Sequence, residues 1–436
     1  MLLTDVAFLF YFFPLFLAVY YITSEKQKYL TILIGSLIFY AFQKNVHLWQ
    51  PLLLLGLTVL CFFVGMFRKK WLIASGIGLL SGLLLFFKVW HNGSLLPLGM
   101  SFYVFQMIAY LADIWKNRLE PERDLAAMSA QLLLFPKLLS GPLMEPDQLQ
   151  AQMKRPKLSQ LRFRAGLQEL VLGLAYKILL ADRLAGLWAQ ATGIGYDRIT
   201  AGLAWAALLA FGLRIYFDFQ GYSMMAVGIG KMLGFQLPGN FDDPYMARSV
   251  SEFFNRWHIT LYRWFRNYLY IPLGGSRKGR GRMVRNVIVV WTFTGLWHGF
   301  SGNYLIWAMF LAFWILQEKL WLGQILNKIP AFAHLYTVIL VLLSWVPFAI
   351  GDLQGMGDFL LGLTRTGVSM SDLYRLLHIY WPYLIAGVLF ATPIPGAFFD
   401  LVRDSVWCDC GLFVLFWVCV YQITTAEQNP FLYFSF

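Results

Sequence analysis

Twelve apolar runs succeed one another along the chain: Ala7–Ile22, Leu30–Phe42, Pro51–Met66, Trp71–Trp90, Leu96–Trp115, Gly166–Leu180, Thr200–Phe217, Asn286–Phe300, Tyr304–Leu320, Leu335–Ile350, Ile379–Phe390 and Gly411–Ile423. A straight helical crossing needs roughly 20 apolar residues, so the pattern predicts about ten to twelve transmembrane helices, with the shorter segments tilted or re-entrant. The expected fold is all-α, a polytopic integral membrane protein.

Two polar stretches interrupt the runs. Residues 141–164, "GPLMEPDQLQAQMKRPKLSQLRFR", are basic and broken by prolines 142, 146 and 156, which predicts short amphipathic pieces along a membrane surface. Residues 218–285 interleave charges with tryptophans and tyrosines. That mixture is too polar for lipid and too aromatic for a solvated loop, so an interfacial or re-entrant element buried in protein is expected. The whole chain, 1–436, reads as one transmembrane domain. Residues 1–90 form a scaffold, 97–299 a core containing both polar stretches, and 300–436 a set of C-terminal helices. No repeat of fixed period is visible, which weighs against the repeat-built secondary transporters.

Composition agrees with the pattern: of 436 residues, 59% are hydrophobic and only 13% charged, far from the balance of a soluble domain. The net charge of +12 reads mainly as topology, because Lys and Arg gather in cytoplasmic loops. Lys26 and Lys28, then Arg68, Lys69 and Lys70, then Lys116, Arg118 and Arg123 follow the first, third and fifth segments, which places the N-terminus outside. The first segment lacks a basic leader and a cleavage site and is expected to be retained. Cys61, Cys408, Cys410 and Cys419 offer no paired framework, and Cys408-Asp409-Cys410 has too few ligands for a metal site.

Two of the six histidines stand out. His298, in "TFTGLWHG", lies roughly 18 Å into the segment that starts at Asn286, at hydrocarbon depth. Ionisable groups there are rare and usually face a cavity or a pathway. Gly295, Gly299 and Gly302 would form a small-residue face beside it, permitting close packing or leaving room for substrate. His298 is either a core histidine satisfied by a neighbouring carbonyl or a general base, and desolvation favours the neutral form that a base requires. His258, in "NRWHIT", is either an interfacial histidine without chemical role or a second active group. The loop "GGSRKGRGRMVR" could cradle phosphates or anchor to anionic lipid. Arg214 and Asp218, four apart, read as an ion pair, with a role near substrate as the alternative. Walker, HExxH and GxSxG motifs are absent, leaving nucleotide hydrolysis and zinc-protease chemistry without support.

The stretch Tyr216–Gly299 resembles the central region of the bacterial membrane-bound O-acyltransferase family, and within it the alginate O-acetyltransferase subfamily. The resemblance rests on "FDFQGYS", on "RWHIT" with "YLYIPLGG", and on "GLWHG". "PLGMSFYVFQMIAYLADIW", "LFPKLLSGPL" and the terminal "NPFLYFSF" extend it over nearly the whole chain, while the teichoic acid D-alanyl transfer protein is more distantly similar. The chain is shorter than many subfamily members, and Met224 and Met225 stand where an aspartate is frequent.

The resemblance implies His298 and His258 as catalytic residues. With an anionic thioester donor, the basic charge makes Arg256, Arg263, Arg266, Arg277, Lys278, Arg280 and Arg282 the expected donor contacts, and Trp297, Gly295, Gly299, Asp218 and Asn255 are expected to support a tunnel. The expected donor is acetyl-CoA or an acyl-phosphopantetheine carrier protein, with no tightly bound cofactor and no metal. The expected acceptor is an exported glycan or an extracytoplasmic SGNH-type acetylation partner. Membrane lipids surround the protein, nucleic acid is not a partner, and the bacterial inner membrane is the expected location. D-alanyl transfer to a cell-wall polymer is the nearer alternative. A transporter or lipid scaffold with a proton-relay histidine is the more distant one.

Overall fold

The computed structural model describes residues 1–44, 46–89, 96–277, 279–366 and 371–425. Among them the chain is helical, without strands; one isolated antiparallel bridge joins Phe241 and Trp257. Seven helices are long and apolar enough to cross a membrane, beginning at Trp49, Lys70, Ala201, Gly302, Pro330, Ser371 and Val406. Two shorter apolar stretches, Phe8–Ile22 and Lys28–Ala41, precede them. Three other predicted segments are also helical. Those at Met100–Trp115 and Gln160–Ala175 are short, and the one at Arg280–His298 starts with arginines.

The helices form two compact units. Among the described residues, the first comprises those up to Leu174, Gly221–Gly239 and those from Leu415 to Thr425. It contains α1 (Phe13–Ile22), α2 (Lys28–Ala41), α3 (Trp49–Phe67), α4 (Lys70–Val89), α5 (Met100–Trp115), α6 (Leu125–Leu132), α7 (Phe135–Leu138), α8 (Pro146–Lys154) and α9 (Gln160–Ala175). Proline chemistry sets the breaks here: Pro136 and Pro146 sit in the first turns of α7 and α8, where no amide hydrogen is needed. Phe135 inserts among Phe8, Phe12, Phe16 and Phe39, and its backbone N–H donates to Ser36 Oγ at 3.1 Å. The fully buried Lys137 beside it donates to Gln106 Oε1.

The second unit contains α10 (Asp182–Thr192), α11 (Ala201–Met232), α12 (Val250–Arg256), α13 (Ile259–Phe265), α14 (Arg280–His298), α15 (Gly302–Gln317), α16 (Gly323–Leu326), α17 (Pro330–Ala349), α18 (Leu353–Gly362), α19 (Ser371–Phe390) and α20 (Ile394–Val402). Widened π-helical turns occur at Tyr176–Ala181, Arg266–Tyr270 and Glu318–Leu322. Helix α11 and the last helix, α21 (Val406–Thr425), are divided between the units, at Gln220 and Val414.

Helix α11 departs from the sequence expectation, because it continues through Asp218 for fourteen further residues to Met232. Its charged and glycine positions are accommodated by packing. Gly228 meets the backbone of Gly166, and Gly221 that of Gly173, so that a Cβ on Gly228 or Gly173 would come within 2.5 Å of a carbonyl oxygen on α9 or α11. Small residues that bring helix backbones together in this way are a hallmark of membrane helix packing.

Candidate active site

The site builds up from a kink after α12. Trp257 is extended and His258 takes a left-handed conformation, φ 45° and ψ 53°, before α13 begins. That conformation is uncommon for a residue with a side chain and needs outside support. The 240–242 segment supplies it. Asp242 N–H donates to the Arg256 carbonyl at 3.0 Å and Ile259 N–H to the Asn240 carbonyl at 2.9 Å, while Thr260 Oγ1 donates to Asn240 Oδ1 at 2.6 Å. The His258 side chain is thereby turned inward, 3% exposed, with the edge-on ring of Phe219 from α11 at 4.5 Å. Burial pushes its imidazole below the ordinary histidine range, toward the neutral form.

Asp218, next to Phe219, is equally buried. The i,i+4 spacing suggested Arg214 as its partner, but the short contact is with Lys177 Nζ, at 2.7 Å; Lys177 also reaches Asp182 Oδ1 at 2.7 Å. Arg214 adds its field to both carboxylates. Lys177 belongs to the π-helical turn before α10 and was not singled out from sequence. A lysine in the run "LAYKILLA" was the available signal, since cations at that depth are rare without a purpose.

His298 is the last residue of α14 and lies roughly 20 Å along the axis from Arg285. Four aromatic rings enclose it: Trp297 at 4.6 Å, Trp307 at 5.0 Å, Phe348 at 5.2 Å and Tyr304 at 6.2 Å between centroids. Trp297 also reaches the His258 ring, at 6.4 Å, so one indole touches both histidines. Tyr304 and Trp307 come from α15 and Phe348 from α17, just after Pro347. The Pro347 carbonyl accepts a hydrogen bond from Asn303 Nδ2 at 3.0 Å, tying the start of α15 to α17.

The glycines beside His298 do not share one helical face, because the helix ends there. Gly295 packs α14 onto α15: a Cβ would lie 2.9 Å from Ala308 Cβ and 2.9 Å from the Tyr304 carbonyl oxygen. Gly299 lies beyond the helix, against the Tyr304 ring, and Gly302 starts α15 in open space. Around Gly295 and Gly299 the space is therefore filled by protein.

The candidate cations separate into two groups. Arg256 bonds Glu252 Oε1 at 3.0 Å and the Asp242 carbonyl at 3.1 Å, and lines a cavity of about 1140 Å³ with Arg248, Lys319, His334 and Glu318. Arg263 on α13, Arg266 on the π-helical turn after it, Arg277 on the loop into α14 and Arg280 and Arg282 in the first turn of α14 are solvent- or lipid-exposed. That loop is pinned by Asn286, whose Nδ2 donates to the Gly275 carbonyl at 2.9 Å, and by Arg285, which donates to the Leu273 carbonyl at 3.1 Å. Lys278 lies outside the described residues, as do His91 and the terminal "NPFLYFSF". Asn255 is exposed on α12, and its amide donates back to the Ser251 carbonyl at 2.8 Å. Among the described residues no cluster of three metal-ligating side chains forms.

The model of the membrane-bound O-acyltransferase family matches residues 117–341, which include both histidines. The chain belongs to this family. It is 30% identical to the probable alginate O-acetylase AlgI of Pseudomonas putida over the full length of both chains. The peptidoglycan O-acetyltransferase of Helicobacter pylori is 31% identical over 80% of this chain and 72% of that protein. The teichoic acid D-alanyltransferase of Bacillus subtilis is 25% identical over 49% of this chain and 57% of its own. As a member of the membrane-bound O-acyltransferases, the protein is a multi-pass membrane enzyme that transfers acyl groups, and the transporter and lipid-scaffold alternatives give way.

Proposed function

We propose that this acyltransferase moves an acetyl group from a cytoplasmic thioester, acetyl-CoA or an acyl-phosphopantetheine carrier, to a hydroxyl outside. The acceptor is an exported polysaccharide, cell-wall glycan included, or an extracytoplasmic SGNH-type protein that passes the group on. The enzyme sits in a bacterial inner membrane with its N-terminus outside. Acetyl is favoured over D-alanyl because the full-length similarity is to an alginate O-acetylase, whereas the similarity to D-alanyltransferases covers half the chain.

One observation carries the reading: two buried histidines, each held at a helix end, meet the same tryptophan inside an aromatic enclosure. The hydroxyl oxygen attacks the thioester carbonyl carbon while the His298 imidazole takes its proton; the carbon–sulfur bond then breaks, and the departing thiolate takes the proton back. His298 ends α14, where the negative end of the helix dipole stabilises the charge gained by about 0.3–2 kcal/mol. His258 precedes the first turn of α13, at a positive end, and is kept neutral, which suits it to orient the donor or the developing oxyanion. The rings around His298 exclude water, which would otherwise hydrolyse the thioester.

The exposed arginines from Arg263 to Arg282 face the anionic donor, whose phosphates they attract from the cytoplasmic side. Arg256 acts from the neighbouring cavity. Replacing His298 by Ala tests the core of the proposal: acetyl groups on the exported glycan should vanish while the folded yield in the membrane and donor binding persist. Acetylation at the wild-type rate would refute it.

A further inference from the structure

Glu318 is a buried carboxylate that no part of this chemistry uses. It opens the π-helical turn Glu318–Leu322, which follows α15 without a break. Insertion of a wide turn rotates the side chains that follow relative to a regular helix, and such turns recur at functional sites. Here the carboxylate is directed onto the start of α12. Oε1 accepts the Val250 N–H at 2.6 Å, and Oε2 accepts the Ser251 N–H at 3.0 Å and the Ser251 hydroxyl at 2.8 Å. Tyr336 of α17 adds a longer contact to Oε1, at 3.4 Å.

Helix α12 has its own caps as well. Ser249 accepts the Glu252 N–H at 2.9 Å, and Glu252 accepts the N–H of Arg248, one residue before the cap, at 2.9 Å, an arrangement akin to a capping box. A seven-residue helix thus carries two local caps and a third from 68 residues away. Local caps suffice to start a helix; the distant one fixes where the helix lies.

What it fixes is the relation between the two histidines. One end of α15 supplies Tyr304 and Trp307 around His298, and its continuation supplies Glu318. The far end of α12 leads directly into Trp257 and His258. Between these ends, Phe254 of α12 packs on Trp291 of α14 at 4.8 Å and faces Trp307 at 6.4 Å. We propose that Glu318 is a positioning residue, which clamps the His258-bearing helix to the helix that walls His298 and so sets the spacing of the pair. This rests on the acyl-transfer reading of the two histidines.

The test is a set of variants expressed in a host that exports the acceptor glycan, with acetyl groups per sugar measured by NMR and divided by the amount of folded protein in the membrane. Glu318→Ala removes all three bonds, and activity per folded molecule should fall about tenfold to a hundredfold, as expected for a displacement of roughly 1 Å at a reacting pair. Glu318→Gln keeps one acceptor oxygen and should recover part of the loss. Tyr336→Phe, which removes only the long contact, should stay within about twofold of wild type. Wild-type activity per folded molecule in the Ala variant, or equal losses in the Ala and Gln variants, would overturn the clamp. If Glu318→Ala fails to fold, Glu318→Gln alone decides, because a purely structural role leaves its activity per folded molecule unchanged. His298→Ala is run alongside: full acetylation there refutes the catalytic reading itself, independently of Glu318.

Discussion

Alanine substitution at the three glycines around His298 should have three different consequences. At Gly295 the new methyl would meet Ala308 Cβ and the Tyr304 carbonyl oxygen, each at 2.9 Å, and both belong to the backbone framework of α15. Carbon atoms prefer about 3.5–4.0 Å, so α15 must retreat by roughly 0.6–1 Å. Alanine gains about 1 kcal/mol of helix propensity over glycine, and overpacking of this kind costs about 1–3 kcal/mol, so the net change is neutral to mildly destabilising. Activity is more sensitive than stability here. The retreating helix carries Tyr304 and Trp307 away from His298, and a misplacement approaching 1 Å costs up to about a hundredfold in rate.

At Gly299 the backbone is extended, φ 170°, so alanine meets no conformational penalty; it would strike the Tyr304 ring at 2.7 Å, and the ring must swing aside. Activity should fall with little change in thermal stability. At Gly302 no atom lies within 4 Å, and alanine should be neutral or stabilising by about 0.4–1 kcal/mol through the unfolded chain. Glycan acetylation and the denaturation temperature in detergent, measured on all three variants, test the ordering. Undiminished acetylation by Gly295→Ala, or Gly302→Ala as the most damaging change, would refute the reasoning.

Lys177→Met should lower the denaturation temperature sharply. It leaves Asp182 and Asp218 buried without their shared cation, a change on the order of 3–5 kcal/mol, and adding Asp182→Asn and Asp218→Asn should restore most of the loss. Charge reversal at Arg280 and Arg282 should reduce acetylation when donor is limiting and weaken donor affinity in a binding assay; unchanged affinity would return the loop to a purely lipid-anchoring role.

Long apolar runs and the two histidines were legible because they rest on local signals: hydropathy over some twenty residues, and an ionisable group where none is expected. Helix ends were less so. Asp218 read as the start of a polar region because its charge ended the apolar run, yet α11 continues, since Lys177 neutralises that charge from 41 residues earlier and glycines on α9 receive the turns beyond it. In the same way Gly295, Gly299 and Gly302 share a face only if the helix runs on past His298, and it stops there. The enclosing rings were hidden for another reason: with 18% of residues aromatic, no signal distinguishes Trp307 and Phe348 from the many that meet lipid.

Those unseen helix ends bear on the proposed roles of the two histidines. Desolvation alone treats His258 and His298 alike, since both are buried and both lose hydration of the charged form. Their positions on helices separate them. His298 closes a nineteen-residue helix, near the negative end of its dipole, whereas His258 precedes a helix, near a positive end. Under the acyl-transfer proposal the first position would favour gaining a proton and the second would disfavour it, with the Trp297 ring touching both imidazoles. Such a division would suit His298 to take the hydroxyl proton and His258 to orient the donor, and it would arise from where two helices stop and start.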